Sequence, residues 1–355
     1  MSSQANGKIP VGVLASTGSV GQRFIQLLEG HPWFKVTAVT GSSRTVGGKY
    51  GDGVNWLIPG EPPESVVDLE VLPNDPARLD VPIVFSALPS GPAREIEPAF
   101  AAAGVAVLTN ASPFRMTEDV PLLIPEVNPE HTGMIRVQQE NRDWSGFIVA
   151  NANCSTTSVI LPLKILQEAY GLEAVVMTTL QAISGAGYPG VPSMDIIDNV
   201  IPHIGGEDAK LEREPRKLLG GYADGAFEFA DVKLSAQANR VPVVDGHLVS
   251  ASVKLGQAVD PADVVQTFVN WEAPAICKEL PSSPDPVLIY RHEEDRPQPR
   301  RDRDAGDGQA WVLGKVRECG VQDIRFMSIA HNTLRGAASG SVLNAELLYK
   351  QGFFS

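Results

Sequence analysis

The sequence predicts an α/β protein: a doubly wound, mostly parallel sheet over the first 150 residues or so, followed by a mixed α/β second half. Three observations carry that expectation. Short apolar runs of strand type alternate with helix-type periodicity up to about residue 150. A turn rich in Gly and Ser joins the first strand to the first helix. Beyond residue 170 the apolar runs alternate only partly with polar residues and are separated by a glycine-rich loop and a charged, helix-prone stretch.

In chain order, residues 9–14 (IPVGVL) read as a strand. Residues 21–30 read as a helix, with Phe24, Leu27 and Leu28 on one face and a glycine stop at Gly30. The pattern repeats with a strand at 34–40, a strand at 81–87 ahead of a helix at 92–103, and a strand at 104–109. In the second half, 172–180, 231–236 and 247–255 read as strands, 201–219 as a charged helical segment, and Asp260 with Pro261 as the N-cap and first position of a further helix.

Composition narrows the class. The chain has 355 residues, 43% hydrophobic and 20% charged, enough for two packed domains. Its formal charge of −13 opposes binding to nucleic acid or acidic membrane surfaces. No apolar run approaches the roughly 20 residues of a membrane span. Residues 1–8 lack the apolar core of a signal peptide, so a cytoplasmic protein is expected. Three cysteines without close spacing suit neither a disulfide framework nor a structural zinc site, and no metal is expected.

The turn at 15–21 (ASTGSVG) has the form of a dinucleotide-binding turn, in which glycines let the backbone approach a pyrophosphate at a helix N-terminus. It departs from the glycine fingerprint at Ala15. After the second strand, where a carboxylate would hold the ribose of NAD, residues 41–45 read GSSRT. The hydroxyls and the guanidinium suit the extra phosphate of NADP.

The sequence NANC at 151–154, followed by STT and an apolar run at 158–166, places Cys154 on a loop that opens a helix. Unpaired amides and the helix dipole there favour the thiolate, so a lowered thiol pKa is expected. Arg240 and, seven residues on, His247 supply a cation and an imidazole suited to taking the thiol proton and to assisting oxygen groups. A core role is expected for Cys277. His31 and His131 are read as turn residues.

Taken together, the motifs STGSVGQRF (16–24), NASPFRM (110–116), PLLIPEVN (121–128), WSGFIV (144–149), NCST (153–156), SGAGYPGVP (184–192), RVPVVDGH (240–247), DRPQPR (295–300) and HNTLRG (331–336) resemble the aspartate-β-semialdehyde dehydrogenases, in the branch found in archaea, fungi and some bacteria. The resemblance runs from Val11 to about Gly352. It implies NADPH-dependent, reversible reduction of β-aspartyl phosphate to the semialdehyde and phosphate, a step towards lysine, methionine and threonine. It also implies a Rossmann-like NADP-binding domain of residues 1–152 with 331–355, and a catalytic and dimerisation domain of residues 153–330 in a homodimer or homotetramer.

By position, the resemblance makes Cys154 the nucleophile of a thioacyl intermediate, His247 its acid/base partner and Gln181 the residue that orients the thioester. Arg240 would hold the substrate α-carboxylate and Glu207 its α-ammonium; Lys210 and Arg115, with Asn110, would bind phosphate. Ser16, Thr17, Gly18, Ser19, Val20, Gly21, Ser43, Arg44, Ser86, Leu88, Ser184, Gly185, Gly187 and Asn332 would contact NADP. The chain departs from the usual pattern at Ala15, Ala152, Ala238 and Leu248, and without a proline at position 152 a looser nucleophile loop is expected. A related reductase acting on a CoA thioester such as malonyl-CoA is the alternative. Glu207 argues against it, because such an acyl group has no ammonium for that carboxylate to meet. A non-enzymatic dinucleotide sensor is disfavoured by the presence of Cys154, Gln181, Arg240 and His247 together.

Overall fold

The computed structural model describes residues 7–354; most of the N-terminal stretch read for a signal peptide lies outside them. Seven strands form the first sheet: β1 (Ile9–Leu14), β2 (Phe34–Thr40), β3 (Val71–Leu72), β4 (Ile83–Ser86), β5 (Ala106–Thr109), β6 (Leu122–Leu123) and β7 (Phe147–Asn151). Their order is β3-β2-β1-β4-β5-β7-β6, and every pairing is parallel. β4, β5 and β7 are buried along their whole length, as strands covered on both faces must be.

Alternate residues feed two cores. Val11, Val13, Ile83 and Phe85 face α1 (Ser19–Leu28) and the C-terminal end of the chain, while Val84, Val107 and Ile148 face the opposite core with Phe100 of α2 (Ser90–Ala102). After α3 (Met134–Arg142) and β7, the chain enters α4 (Cys154–Tyr170), which is buried on nearly every side from Ser155 to Leu166. That explains an apolar run with no polar face.

β8 (Leu172–Gln181) opens the second half, followed by α5 (Glu207–Leu218) and a small hairpin of β9 (Gly221–Ala223) and β10 (Ala226–Glu228). Then come β11 (Lys233–Arg240), β12 (His247–Leu255), α6 (Pro261–Asn270), β13 (Leu288–Arg291), β14 (Trp311–Glu318) and β15 (Ile324–Ala330). The second sheet is mixed, in the order β11-β8-β12-β15-β14-β13. α4 packs on β12 and β15, so one apolar core runs from the first sheet into the second. A turn of π-helix (Leu334–Ala338) leads into α7 (Ser339–Lys350), which returns to pack on β5 and β7.

Register decides what meets at the centre. β8 and β11 run parallel with Arg240 opposite Gln181, and β12 runs antiparallel to β8 with Leu248 opposite Leu180. Gln181 and Arg240 are therefore the last residues of their strands and His247 the first of its own, and all three share one end of the sheet. β7 ends three residues before Cys154 at the carboxyl edge of the other sheet.

Candidate active site

Asn153 caps α4: its side-chain oxygen accepts from the amides of Ser155 and Thr156 at 2.9 and 3.2 Å, which leaves Cys154 at the first helical position. The loop before it is tied on both sides. Asn151 donates to Asn110 at 2.9 Å and to the Ala337 carbonyl at 3.2 Å, and the Asn153 amide donates to Glu214 at 2.6 Å. Ala152 is buried between them. These bonds supply the restraint that the sequence reading missed when it found no proline at position 152.

Sγ of Cys154 lies 3.3 Å from Nε2 of His247. On the far side of the ring, Nδ1 accepts from the Ala182 amide at 3.0 Å. A neutral imidazole that accepts at Nδ1 carries its proton on Nε2, so in this arrangement the ring directs an N–H at the sulfur.

Burial pushes the Cys154 thiol up to about 11, and the nearby Glu207 carboxylate adds to the rise; Arg115, Lys210 and Arg240 oppose it. This corrects the expected lowering, because desolvation in the cleft outweighs the three cations. Burial also pushes His247 down to about 3, and Arg240 acts in the same direction. The resting pair is a thiol beside a neutral imidazole.

Around the sulfur is a cavity of about 470 Å³. Cys154, Gln181, Glu207, Lys210, Arg240, Arg115 and Asn110 all line it, together with Val20, Leu88, Ser184, Gly185, Gly187 and Asn332. Glu207 accepts from Lys210 at 2.6 Å, from Asn153 at 3.1 Å and from Gln181 at 3.3 Å. Burial works against its charge, but these donors outweigh burial and hold the carboxyl below its usual range. Arg240 is buried, with Nη1 donating to the Ala182 carbonyl at 2.7 Å. Arg115 pairs with Glu214 at 3.0 Å and donates to the Asn110 carbonyl at 2.7 Å. Arg115 Nε and Asn110 Nδ2 are buried without partners, two donors that an incoming anion can satisfy.

Family models described as semialdehyde dehydrogenase, NAD binding domain, and semialdehyde dehydrogenase, dimerisation domain, match residues 10–135 and 163–335. An aspartate-semialdehyde dehydrogenase of Archaeoglobus fulgidus is 52% identical over 341 residues, 96% of this chain and 98% of the relative. The chain belongs to the semialdehyde dehydrogenase family. Among solved structures, an aspartate semialdehyde dehydrogenase with NADP from Candida albicans aligns with a TM-score of 0.90 and 41% identity, covering 98% of this chain and 100% of the other. Aspartate semialdehyde dehydrogenase II complexed with ASA from Vibrio cholerae aligns at 0.77 and 25% identity, over 98% and 99%.

As in other doubly wound members of nucleotide-binding folds, the crevice of this semialdehyde dehydrogenase lies where the strand order reverses, between β1 and β4. The residues there fit a dinucleotide. A Cβ on Gly21 would come within 2.5 Å of the Ala15 carbonyl, so the turn can pack this tightly on α1 only with glycine. Ala15 itself adopts φ 54°, the left-handed conformation for which the fingerprint uses glycine, so the departure leaves the turn's shape intact. Gly18 is exposed and precedes the amides of Ser19, Val20 and Gly21, which open α1. Thr17 belongs to the same turn, and Ser43 and Arg44 are exposed on the loop after β2.

Two expected cofactor contacts are placed differently. The Ser86 side chain is completely buried, its hydroxyl donating to Glu97 at 2.6 Å and its carbonyl accepting from the Asn110 amide. The Ser16 hydroxyl is buried and donates to the Thr40 carbonyl at 2.8 Å. Both hydroxyls build the crevice from beneath. Asn332 donates to Ser184 and accepts from the Gly246 amide, each at 2.8 Å, and so ties the glycine-rich loop to the start of β12.

Sequence reasoning missed Glu214, Lys217 and Gly336. A Cβ on Gly336 would lie 2.8 Å from that of Cys154. The missing side chain at Gly336 makes room for the reacting residue.

Proposed function

We propose that this chain catalyses the NADP-dependent, phosphorylating interconversion of L-aspartyl-4-phosphate and L-aspartate-4-semialdehyde through a thioester on Cys154. The observation that carries the reading is the set of charges around Sγ: Arg240, Glu207, Lys210 and Arg115 line one cavity with the thiol, and Lys210 stands 2.6 Å from Glu207. That set of charges complements an α-carboxylate, an α-ammonium and a phosphate on one short substrate. Malonyl-CoA would leave Glu207 facing an acyl chain without a cation.

In the reductive direction Cys154 attacks the acyl carbon while Arg115 and Lys210 stabilise the departing phosphate. The thiol must lose a proton, and Nε2 of His247 already holds one. The departing phosphate takes the thiol proton and leaves as hydrogen phosphate. The Nε2–H donates to the sulfur and then to the oxygen of the tetrahedral adduct. NADPH, when bound across the β1–β4 crevice, supplies the hydride that takes the thioester to the aldehyde level. Collapse of the adduct returns the Cys154 thiolate, which takes its proton from solvent.

We assign residues 1–152 and 331–355 to NADP binding and 153–330 to catalysis and self-association. A second copy would cover the stretch that bears Tyr188 (68% exposed), Met194 (88%) and Ile197 (65%), large apolar residues open to solvent in the single chain. Among the described residues no helix is long and apolar enough to cross a membrane, and the three cysteines are unpaired, which suits a reducing cytosol.

The test is phosphate- or arsenate-dependent reduction of NADP with aspartate semialdehyde, run beside NADPH oxidation with malonyl-CoA. Activity with the semialdehyde is expected. Turnover of the CoA ester alone would overturn the substrate assignment.

A further inference from the structure

α5 carries charged side chains at 207, 210, 214 and 217, a spacing that aligns them in one stripe along the helix. The stripe points inward: Glu207, Glu214 and Lys217 are 6%, 2% and 1% exposed. Glu207 and Lys210 line the cavity. Glu214 and Lys217 lie behind it, and no chemical step described above involves them.

Their contacts connect the two sides of the reacting bond. One Glu214 oxygen accepts from Nη1 of Arg115 at 3.0 Å, and the other accepts from the backbone amide of Asn153 at 2.6 Å. A single carboxylate thus joins the guanidinium assigned to phosphate with the residue just before the nucleophile. Lys217 donates to the carbonyls of Arg115, Thr117 and Val120 at 3.0, 2.8 and 2.7 Å, and it stands over the Phe227 ring at 4.5 Å. All three ammonium donors are used, and all hold the loop that bears Arg115.

Buried charges gain little stability over apolar residues of like volume, because desolvation offsets their attraction. What they add is direction, since hydrogen bonds fix both ends of the Arg115 side chain and its backbone relative to α4.

We propose that Glu214 and Lys217 are positioning residues, which set the spacing between the Arg115 guanidinium and Sγ of Cys154 and so align the leaving phosphate with the attacking sulfur. The proposal rests on the reading of Arg115 as a phosphate ligand. It predicts a defect confined to phosphate. Glu214→Gln keeps an oxygen for the Asn153 amide but turns an amide N–H₂ towards Arg115, and Lys217→Met frees the loop.

The experiment is steady-state kinetics in the oxidative direction for both variants and for Arg115→Ala, with NADPH binding measured to establish that each protein is folded. Glu214→Gln and Lys217→Met should each raise the KM for inorganic phosphate by about tenfold or more, while the KM for the semialdehyde stays within about twofold. Glu214→Ala, which also loses the Asn153 contact, should in addition change the rate of Cys154 alkylation by iodoacetamide. If Arg115→Ala raises the phosphate KM and Glu214→Gln does not, the positioning role is wrong and the phosphate assignment stands. If Arg115→Ala leaves the phosphate KM unchanged, the assignment fails and the proposal fails with it. Equal rises in both KM values would show a general structural defect and also overturn it.

Discussion

The Ala182 amide donates to Nδ1 of His247, and the opposite ring nitrogen lies 3.3 Å from Sγ of Cys154. An imidazolium would turn an Nδ1–H against that amide, so the contact favours the neutral ring with its proton on Nε2. In ¹⁵N spectra assigned with a His247→Asn variant, Nδ1 should be of pyridine type and Nε2 of pyrrole type. Because burial holds the group at about 3, the pattern should persist from about pH 8 down to about pH 5. His247→Ala should lower kcat by about 10²–10³-fold, the effect of losing one donor to a developing oxyanion, and His247→Gln should recover part of it. A pyrrole-type Nδ1, or no recovery with glutamine, would restore the view of His247 as the base for the thiol.

Gly336 sits against the nucleophile so closely that an added methyl group would meet the Cβ of Cys154 at 2.8 Å and its Cα at 3.0 Å. One of the two elements must shift. Gly336→Ala should therefore reduce turnover by about 10²-fold or more, since small misplacements of a reacting group are costly, while NADPH binding is retained. Near-normal kcat in a folded Gly336→Ala protein would show that the last helix gives way without disturbing Cys154.

On the loop after β2 no carboxylate lies in residues 41–45, and Arg44 is exposed there. Arg44→Asp should weaken NADPH binding by about tenfold or more and improve NADH binding, because a forked cation–phosphate contact is replaced by repulsion. Titration by fluorescence quenching measures both. An unchanged preference would place the 2′-phosphate elsewhere.

Much of the fold was legible in the sequence. β1, β2 and β12 begin and end where the apolar runs do, because each run is bounded by turn or polar residues. Cys154 and Arg240 were singled out from their motifs and Gln181 and Glu207 through the family resemblance, and the structure brings all four to one cavity. The lower part of the stripe on α5 was not. Charges at helical spacing describe a solvated face as well as a buried one, and only the partners of Glu214 and Lys217, about 100 residues earlier in the chain, decide between them. Ser86 was misplaced for a similar reason: its hydroxyl is taken by Glu97, a carboxyl that the sequence alone does not bring inside. The Cys154 pKa was misjudged because helix position can be read locally and desolvation cannot.

His131, read as a turn residue, is fully buried: Nδ1 contacts Asn128 at 2.9 Å and Nε2 the Gly220 carbonyl at 3.3 Å. Burial pushes it down to about 4. An unfolded histidine titrates near 6.5, so between those values the unfolded chain binds more protons and stability rises with pH. The contribution is present above about pH 6.5 and is lost as pH falls towards about 4, on the order of 3 kcal/mol at full extent. Thermal melts across that window should show His131→Gln losing less stability than the parent. Parallel curves would mean that the native ring is already protonated or that it readily finds water.

Whether Cys154 carries the acyl group is decided by mixing the protein with aspartate semialdehyde and NADP while withholding phosphate. A rapid burst of NADPH, no larger than one per active site, is expected, with an aspartyl thioester on the Cys154 peptide by mass spectrometry. Adding phosphate should remove the adduct and start turnover, and Cys154→Ala should bind NADPH yet show neither burst nor adduct. NADPH formation only after phosphate is added, with Cys154 unmodified throughout, would contradict it.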